Sequence, residues 1–168
     1  GLNGEDMGVT LEICVEDLCD GESKTIYISQ EGSDFTGDGS EGNPYATIQK
    51  GINEALNEDT VFVFMGMYNE SLILYNKSIH IIGEEFIGEE SNFNAVALWG
   101  ENLGSSVLTV ENVSPCENGN IPSIEKMDFL GPEGNWDVDE SPIQVNNSNL
   151  KFSRLMVTHF KNNNLLGG

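Results

Sequence analysis

Arginine is nearly absent from this chain. Arg154 is the single copy, and Lys and Arg together number 7 against 28 acidic residues, for a formal charge of −21. Binding to a phosphate backbone depends on Lys and Arg displacing counterions, so the composition argues against a nucleic-acid partner. An anionic membrane surface is disfavoured for the same electrostatic reason. No apolar run is long enough to cross a bilayer, and no basic-then-apolar leader opens the chain at Gly1. Membrane insertion is therefore not expected. Cationic partners, divalent metals and a salty or extracellular setting suit the acidic surface, which also keeps a secreted protein soluble.

Catalytic signatures are missing as well. There is no Gly-x-Ser-x-Gly elbow, no zinc-protease helix and no phosphate-cradling glycine loop ending in lysine; Gly37-Asp38-Gly39 is a turn. Cysteine is scarce and odd in number, with Cys14, Cys19 and Cys116. No further Cys or His stands at zinc-site spacing. In an oxidising compartment the favoured pair is Cys14–Cys19, closing a small local loop and leaving Cys116 free or intermolecular. The alternative joins Cys116 to one of the other two and pins the N-terminal arm to a later part of the fold.

What is present is a rhythm of short β-like runs. Thr25–Ser29 is a short strand, β-branched and aromatic. Gln30–Asn43 is a long loop rich in Gly, Asp and Ser. Ile48, Ile52, Ala55 and Leu56 make one apolar stripe of a short helix, started by Pro44 or Thr47 and ended by Asn57-Glu58-Asp59. Its Ile48, Ile52 and Leu56 face is expected to be core. Thr60–Phe64 reads as a strand buried on both faces. Val61–Met65, Leu72–Leu74 and Ser78–Ile82 follow one another at intervals too short for a crossover helix, which leaves hairpins or successive bends into different sheets. Ala95–Trp99, Ser106–Val110 and Ile124–Leu130 continue the rhythm, and Pro142–Val145, Leu150–Phe152 and Leu155–Phe160 begin a further turn. Trp99 is expected in the core. The first segment, Gly1–Ser23, contains VTLEICV, in which Val9, Leu11, Ile13 and Val15 alternate with Thr10, Glu12 and Cys14, a strand with one buried face.

The order strand, Gly/Asp/Ser loop, Asn-Pro-aromatic, Thr-Ile-Gln helix, DTVFV, G-x-Y-x-E and KSIHIIG, from Thr25 to Gly83, closely resembles the N-terminal cap and first rung of right-handed parallel β-helix proteins, the pectin-lyase-like superfamily. The resemblance implies an all-β fold, a right-handed parallel β-helix of about three rungs with a capping α-helix near 47–56. An arm or capping strand over 1–24 would precede a β-helix domain over 25–168, open at its C-terminal end. Phe160, Asn163, Gly167 and Gly168 are similar to the F-x-x-N and G-G-A-I repeats of chlamydial polymorphic outer-membrane adhesins. Asparagines at such turns would bond neighbouring backbone or stack into a ladder along the helix axis. The ending at Gly168 resembles the middle of a turn, so a fragment, or continuation by another chain, is expected.

The superfamily includes polysaccharide lyases and hydrolases, so catalytic groups must be sought. Lyases of this type resemble one another in a calcium-binding carboxylate cluster with an Arg or Lys base; Arg154 has no acidic neighbour in sequence. Hydrolases need Asp pairs with Gly-His-Gly, which the chain lacks. His80 and His159 lie in apolar runs as strand residues. No catalytic residue is assigned and no cofactor is expected, with calcium as the one ligand to consider. Asp34 with Asp38, and Asp137 with Asp139 beside Glu140, put hard oxygens on loops, although neither set has EF-hand spacing and turn-forming aspartates are the favoured reading. Trp136, among acidic and Gly residues, raises carbohydrate as a partner. Sequons at Asn69, Asn76, Asn112 and Asn146 fall at or beside turns, where glycans would point outward. The expectation is a non-enzymatic extracellular or cell-surface structural or adhesive protein, joined head to tail into homo-oligomers or filaments through its arm and open end. The alternatives are the N-terminal part of a larger β-helix adhesin, or of a polysaccharide-cleaving enzyme whose catalytic rungs lie beyond residue 168.

Overall fold

In the computed structural model, which describes Cys19 and residues 22–85, 95–99, 106–130 and 142–158, alternating Ile, Val and Leu build strands of three or four residues. Strand β1 is Thr25–Ile28 and helix α1 is Ile48–Glu54. Then come β2 Thr60–Val63, β3 Gly66–Tyr68, β4 Leu72–Tyr75, β5 His80–Gly83, β6 Val96–Trp99 and β7 Leu108–Glu111. The series continues with β8 Ser123–Glu125, β9 Met127–Leu130, β10 Ile143–Asn146, β11 Lys151–Ser153 and β12 Met156–Thr158. From β2 onward, consecutive strands enter three sheets in rotation. Their orders are β1-β2-β5-β8-β11, β12-β9-β6-β3 and β10-β7-β4. Every pairing between these strands is parallel. The molecule is therefore mostly β, with one helix among the described residues, and its stacked parallel sheets are compatible with a parallel β-helix.

Parallel stacking puts like residues above like. Ile26, Val61, Ile81, Ile124 and Phe152 fall in one column, and Tyr68, Leu98, Phe129 and Val157 in another. Leu74, Val110 and Val145 form a third. In the middle of the stack these side chains are fully buried, and each contributes about 1.5–3 kcal/mol. Tyr68 is the polar exception. Its hydroxyl donates to the Phe64 carbonyl at 2.9 Å, and burial, reinforced by the Glu70 charge, pushes the phenol up to about 12.

Several details depart from the sequence expectations. Thr60–Val63 is not buried on both faces: Val61 and Val63 point in, whereas Phe62 is half-buried on the outside, where its ring meets Tyr27 and Phe64 at 5.8 and 5.4 Å. Gly66–Tyr68, expected as a spacer, is a strand. Ile124–Leu130 is two strands, broken at Lys126, whose φ is 59°. On the helix, Ala55 is buried and Leu56 is 57% exposed, because the chain leaves helical geometry at Ala55. Trp99 falls on the outward parity, alternating with buried Val96 and Leu98.

One corner repeats. The turns after β4, β7 and β10 carry Asn76, Asn112 and Asn147 with φ of 53°, 54° and 44°, a left-handed conformation that asparagine tolerates better than most residues. Asn76 N donates to Glu111 O and Asn112 N to Asn146 O, both at 3.1 Å. The Asn147 amide donates to Asn112 Oδ1 at 2.8 Å. The turns for which an asparagine ladder was expected, near Asn163, lie outside the described residues; here one side-chain bond joins Asn147 to Asn112.

Candidate functional site: the two ends of the stack

At the β1 end, each sheet's first strand meets a blocking group. Beside β1, the 30–45 loop folds back: Tyr27 N donates to Gly39 O at 2.9 Å, Tyr45 N to Tyr27 O at 3.1 Å and Ser29 N to Tyr45 O at 2.9 Å. On β3, Met67 O accepts from the Gln30 side-chain amide. On β4, the Gln49 side chain acts as a missing strand would, accepting from Ile73 N at 2.8 Å and donating to Ile73 O at 3.1 Å. Exposed edges template unwanted pairing, and this end is closed against it.

The helix carrying Gln49 is held at both termini. Thr47 caps it, its hydroxyl accepting from Lys50 N at 3.2 Å. The Asp34 carboxylate accepts from Ala46 N at 2.8 Å, Thr47 N at 3.0 Å and Thr47 Oγ1 at 2.7 Å. Glu70 reaches across from the β3–β4 turn to accept from Ile48 N at 2.8 Å and Gln49 N at 3.0 Å, satisfying donors a helix leaves unpaired. At the other terminus the Lys77 ammonium donates to the carbonyls of Ile52, Asn53 and Ala55 at 2.7, 2.6 and 2.7 Å. A cation there complements the helix dipole.

Glu70 gives this lid a pH signature. Burial raises its pKa, and its two backbone hydrogen bonds only partly oppose that. A carboxyl raised in the folded state takes up its proton before the unfolded chain does, so stability rises as pH falls through the folded pKa toward 4.5. Asp34 has the opposite sign. Although burial raises it, bonds from Thr47 and Ala46 hold it below 3.8 overall, and its stabilisation is lost on further acidification. Thermal melts between pH 7 and 4.5 are therefore expected to rise less in Glu70→Gln than in the parent chain. Equal slopes would remove Glu70 from the account.

At the other end, no described strand lies beyond β10, β11 and β12. There the inward columns surface: Val145, Phe152 and Val157 are 42%, 38% and 46% exposed. Their equivalents one rung earlier, Val110, Ile124 and Phe129, are buried. Neighbouring acids are absent from this part of the sequence: all 28 precede Ser141, and Lys151, Arg154 and Lys161 follow it.

The remaining candidates divide as follows. Asp34 and Asp38 are both engaged in turn chemistry, Asp38 Oδ1 accepting from Ser40 N at 2.9 Å. Among the described residues no group of three His, Cys, Asp or Glu side chains is placed to hold a metal. Asp137, Asp139 and Trp136 lie outside the described residues, as do His159, the adhesin-like tail and the 1–18 segment. Asn69, Asn76 and Asn146 are exposed and Asn112 is half-buried. His80 is a half-buried strand residue whose Nδ1 lies 2.9 Å from Ser123 Oγ, and Ser123 is 3% exposed. Arg154 has an acidic partner distant in sequence: Nη2 meets Glu85 Oε1 at 2.6 Å while Lys126 meets Oε2 at 3.1 Å. Such exposed pairs contribute little.

The cysteine pairing is corrected. Cys19 is bonded to Cys116, with Cα atoms 5.8 Å apart at a sequence separation of 97, so the local Cys14–Cys19 loop is not formed. The bond follows from the fold. The β7–β8 loop carrying Cys116 reaches Glu58, whose Oε1 accepts from Asn118 and Asn120 at 2.6 and 3.3 Å. That brings Cys116 to the side where Lys24 N donates to Asp59 Oδ1 at 2.9 Å, five residues after Cys19. Cys14 lies outside the described residues.

No protein-family model matches the chain, and no curated protein or solved structure does either.

Proposed function

We propose that this is a non-enzymatic structural or adhesive unit of the extracellular space, a right-handed parallel β-helix of pectin-lyase-like type that joins other copies through its exposed apolar end. The asymmetry of the two ends carries the reading. Gln30, Tyr45 and Gln49 block one end, whereas Val145, Phe152 and Val157 lie open at the other. A contact between unlike ends is heterologous, and one whose rotation does not close into a ring propagates as a chain. The Cys19–Cys116 bond and the exposed sequons at Asn69, Asn76 and Asn146 support an oxidising, secreted setting.

Sedimentation velocity over rising concentration tests this. The expected result is concentration-dependent association that Val157→Glu weakens at least tenfold while leaving the melting curve near that of the parent. A chain that stays monomeric throughout, or associates equally well with Val157→Glu, would overturn the proposal.

A further inference from the structure

We infer that the exposed end receives the Val9–Val15 segment of a second copy, which adds as a strand beside β11. The inference rests on the end-to-end assembly proposed above and names the element that makes the contact. Shape and charge each support it.

The next strand on this sheet must place apolar residues inward and polar ones outward. VTLEICV has that alternation, with Val9, Leu11, Ile13 and Val15 on one face. Strand addition of this kind takes affinity from main-chain bonds and specificity from alternate side chains. In one parallel register Ile13 covers Phe152, which is 38% exposed. Glu12 then lies beside Lys151 and Cys14 beside Ser153.

Charge favours the same match. Gly1–Ser23 holds Glu5, Asp6, Glu12, Glu16, Asp17, Asp20 and Glu22 and no basic residue. Residues 141–168, which supply the receiving strands, hold no acid, and Lys151 is exposed. Arg154 is engaged with Glu85 and is not counted. Opposite charges directly across a strand pair attract, whereas the rest of this surface would repel an acidic segment.

The tether is compatible with this exchange. Cys19 is bonded to Cys116, in a loop that contacts Glu58 at the first rung and, through the Val113 and Pro122 carbonyls, Asn149 and Lys151 at the last. Val15 precedes Cys19 by four residues, an extended reach of about 13–14 Å. The end-to-end contact proposed above is what sets the segment of one copy against the exposed end of the next.

The test uses the full chain with its disulfide intact. Leu11→Asp/Ile13→Asp is expected to weaken self-association at least tenfold. That variant should still bind a labelled peptide of residues 7–18 carrying Cys14→Ser, read by fluorescence anisotropy, because its receiving end is unchanged. Lys151→Glu should weaken association, and Glu12→Lys in the same chain should restore most of it. If Val157→Glu abolishes association but Leu11→Asp/Ile13→Asp does not, the apolar end still joins copies and the arm inference falls alone. If the parent chain is monomeric and binds the peptide only after residues 1–18 are removed, the arm covers its own chain and the inference is overturned. If neither variant changes association, both proposals fall.

Discussion

Replacing Cys19 and Cys116 together by serine is expected to lower the melting temperature by about 10–20 °C. The bond closes a loop of 97 residues. Removing such a crosslink frees the unfolded chain by about 4–5 kcal/mol in the loop-entropy account. For a chain of this size each kcal/mol moves the midpoint by about 2–4 °C. The loop it closes holds β1, the lid helix and all of the first two turns, so the loss should appear as a global shift rather than a local fraying. Cys116 is 5% exposed, and serine leaves a hydroxyl there at a small further cost. Reductant should produce the same fall in the parent chain and none in the double variant. A change below about 2 °C in both experiments would show that the crosslink adds nothing to the folded stack.

The strands were legible wherever aliphatic residues recur at every second position. Ile26 and Ile28, and Leu72 and Leu74, mark inward positions; Thr60–Val63 was legible as a strand, but not its outward face at Phe62. Gly66–Tyr68 was not legible, since three residues beginning with glycine carry no period of their own. The pairing with β6 makes that segment a strand. Lys126 escaped notice because lysine is not a residue that advertises a left-handed turn. Its conformation is held from outside, by Lys126 N donating to Ser153 O at 3.0 Å and by the ion pair to Glu85. The asparagine corner, by contrast, uses the residue that local sterics favour and could be anticipated.

The lid shows why sites are harder to see than folds. Thr47 as helix cap follows from local sequence. Its supporting contacts do not: Gln49 to Ile73, Glu70 to Ile48 and Lys77 to Ala55 span 24, 22 and 22 residues. Gln, Glu and Lys at those positions read simply as polar. Only the winding, which returns the chain to the same side on each turn, brings them over the helix. The Cys19–Cys116 choice has the same origin. Short spacing favoured Cys14–Cys19, but proximity in a stacked fold is set by which corners align, not by distance along the chain. Val145, Phe152 and Val157 were legible as strand residues, but their exposure was not, since it depends on which strand pairs last among the described residues. The absence of acids from residues 141–168 gained its meaning once the inward columns were seen to surface there.

Gly83→Ala is expected to cost up to about 3 kcal/mol, a fall of about 6–12 °C in melting temperature. Gly83 ends β5 and is buried on the inward parity, in register with Val63. A Cβ at this position would sit 2.2 Å from the Lys126 carbonyl oxygen, and 3.1 Å from both Lys126 C and Val96 Cγ2. The first contact is with backbone, which cannot rotate away as a side-chain tip can. Nor can that carbonyl retreat freely, because Lys126 is the single-residue corner between β8 and β9, with φ of 59°. The added methyl must therefore push the second rung off the third. Hydrogen exchange should quicken first in β8, β9 and β11, while the amides of α1 held by Glu70 stay protected. Gly42→Ala is the matched control. A Cβ there meets nothing within 4 Å, so its effect should stay within about 0.5 kcal/mol. Equal melting points for the two variants would mean that the close approach at Lys126 is not what fixes the spacing of the rungs.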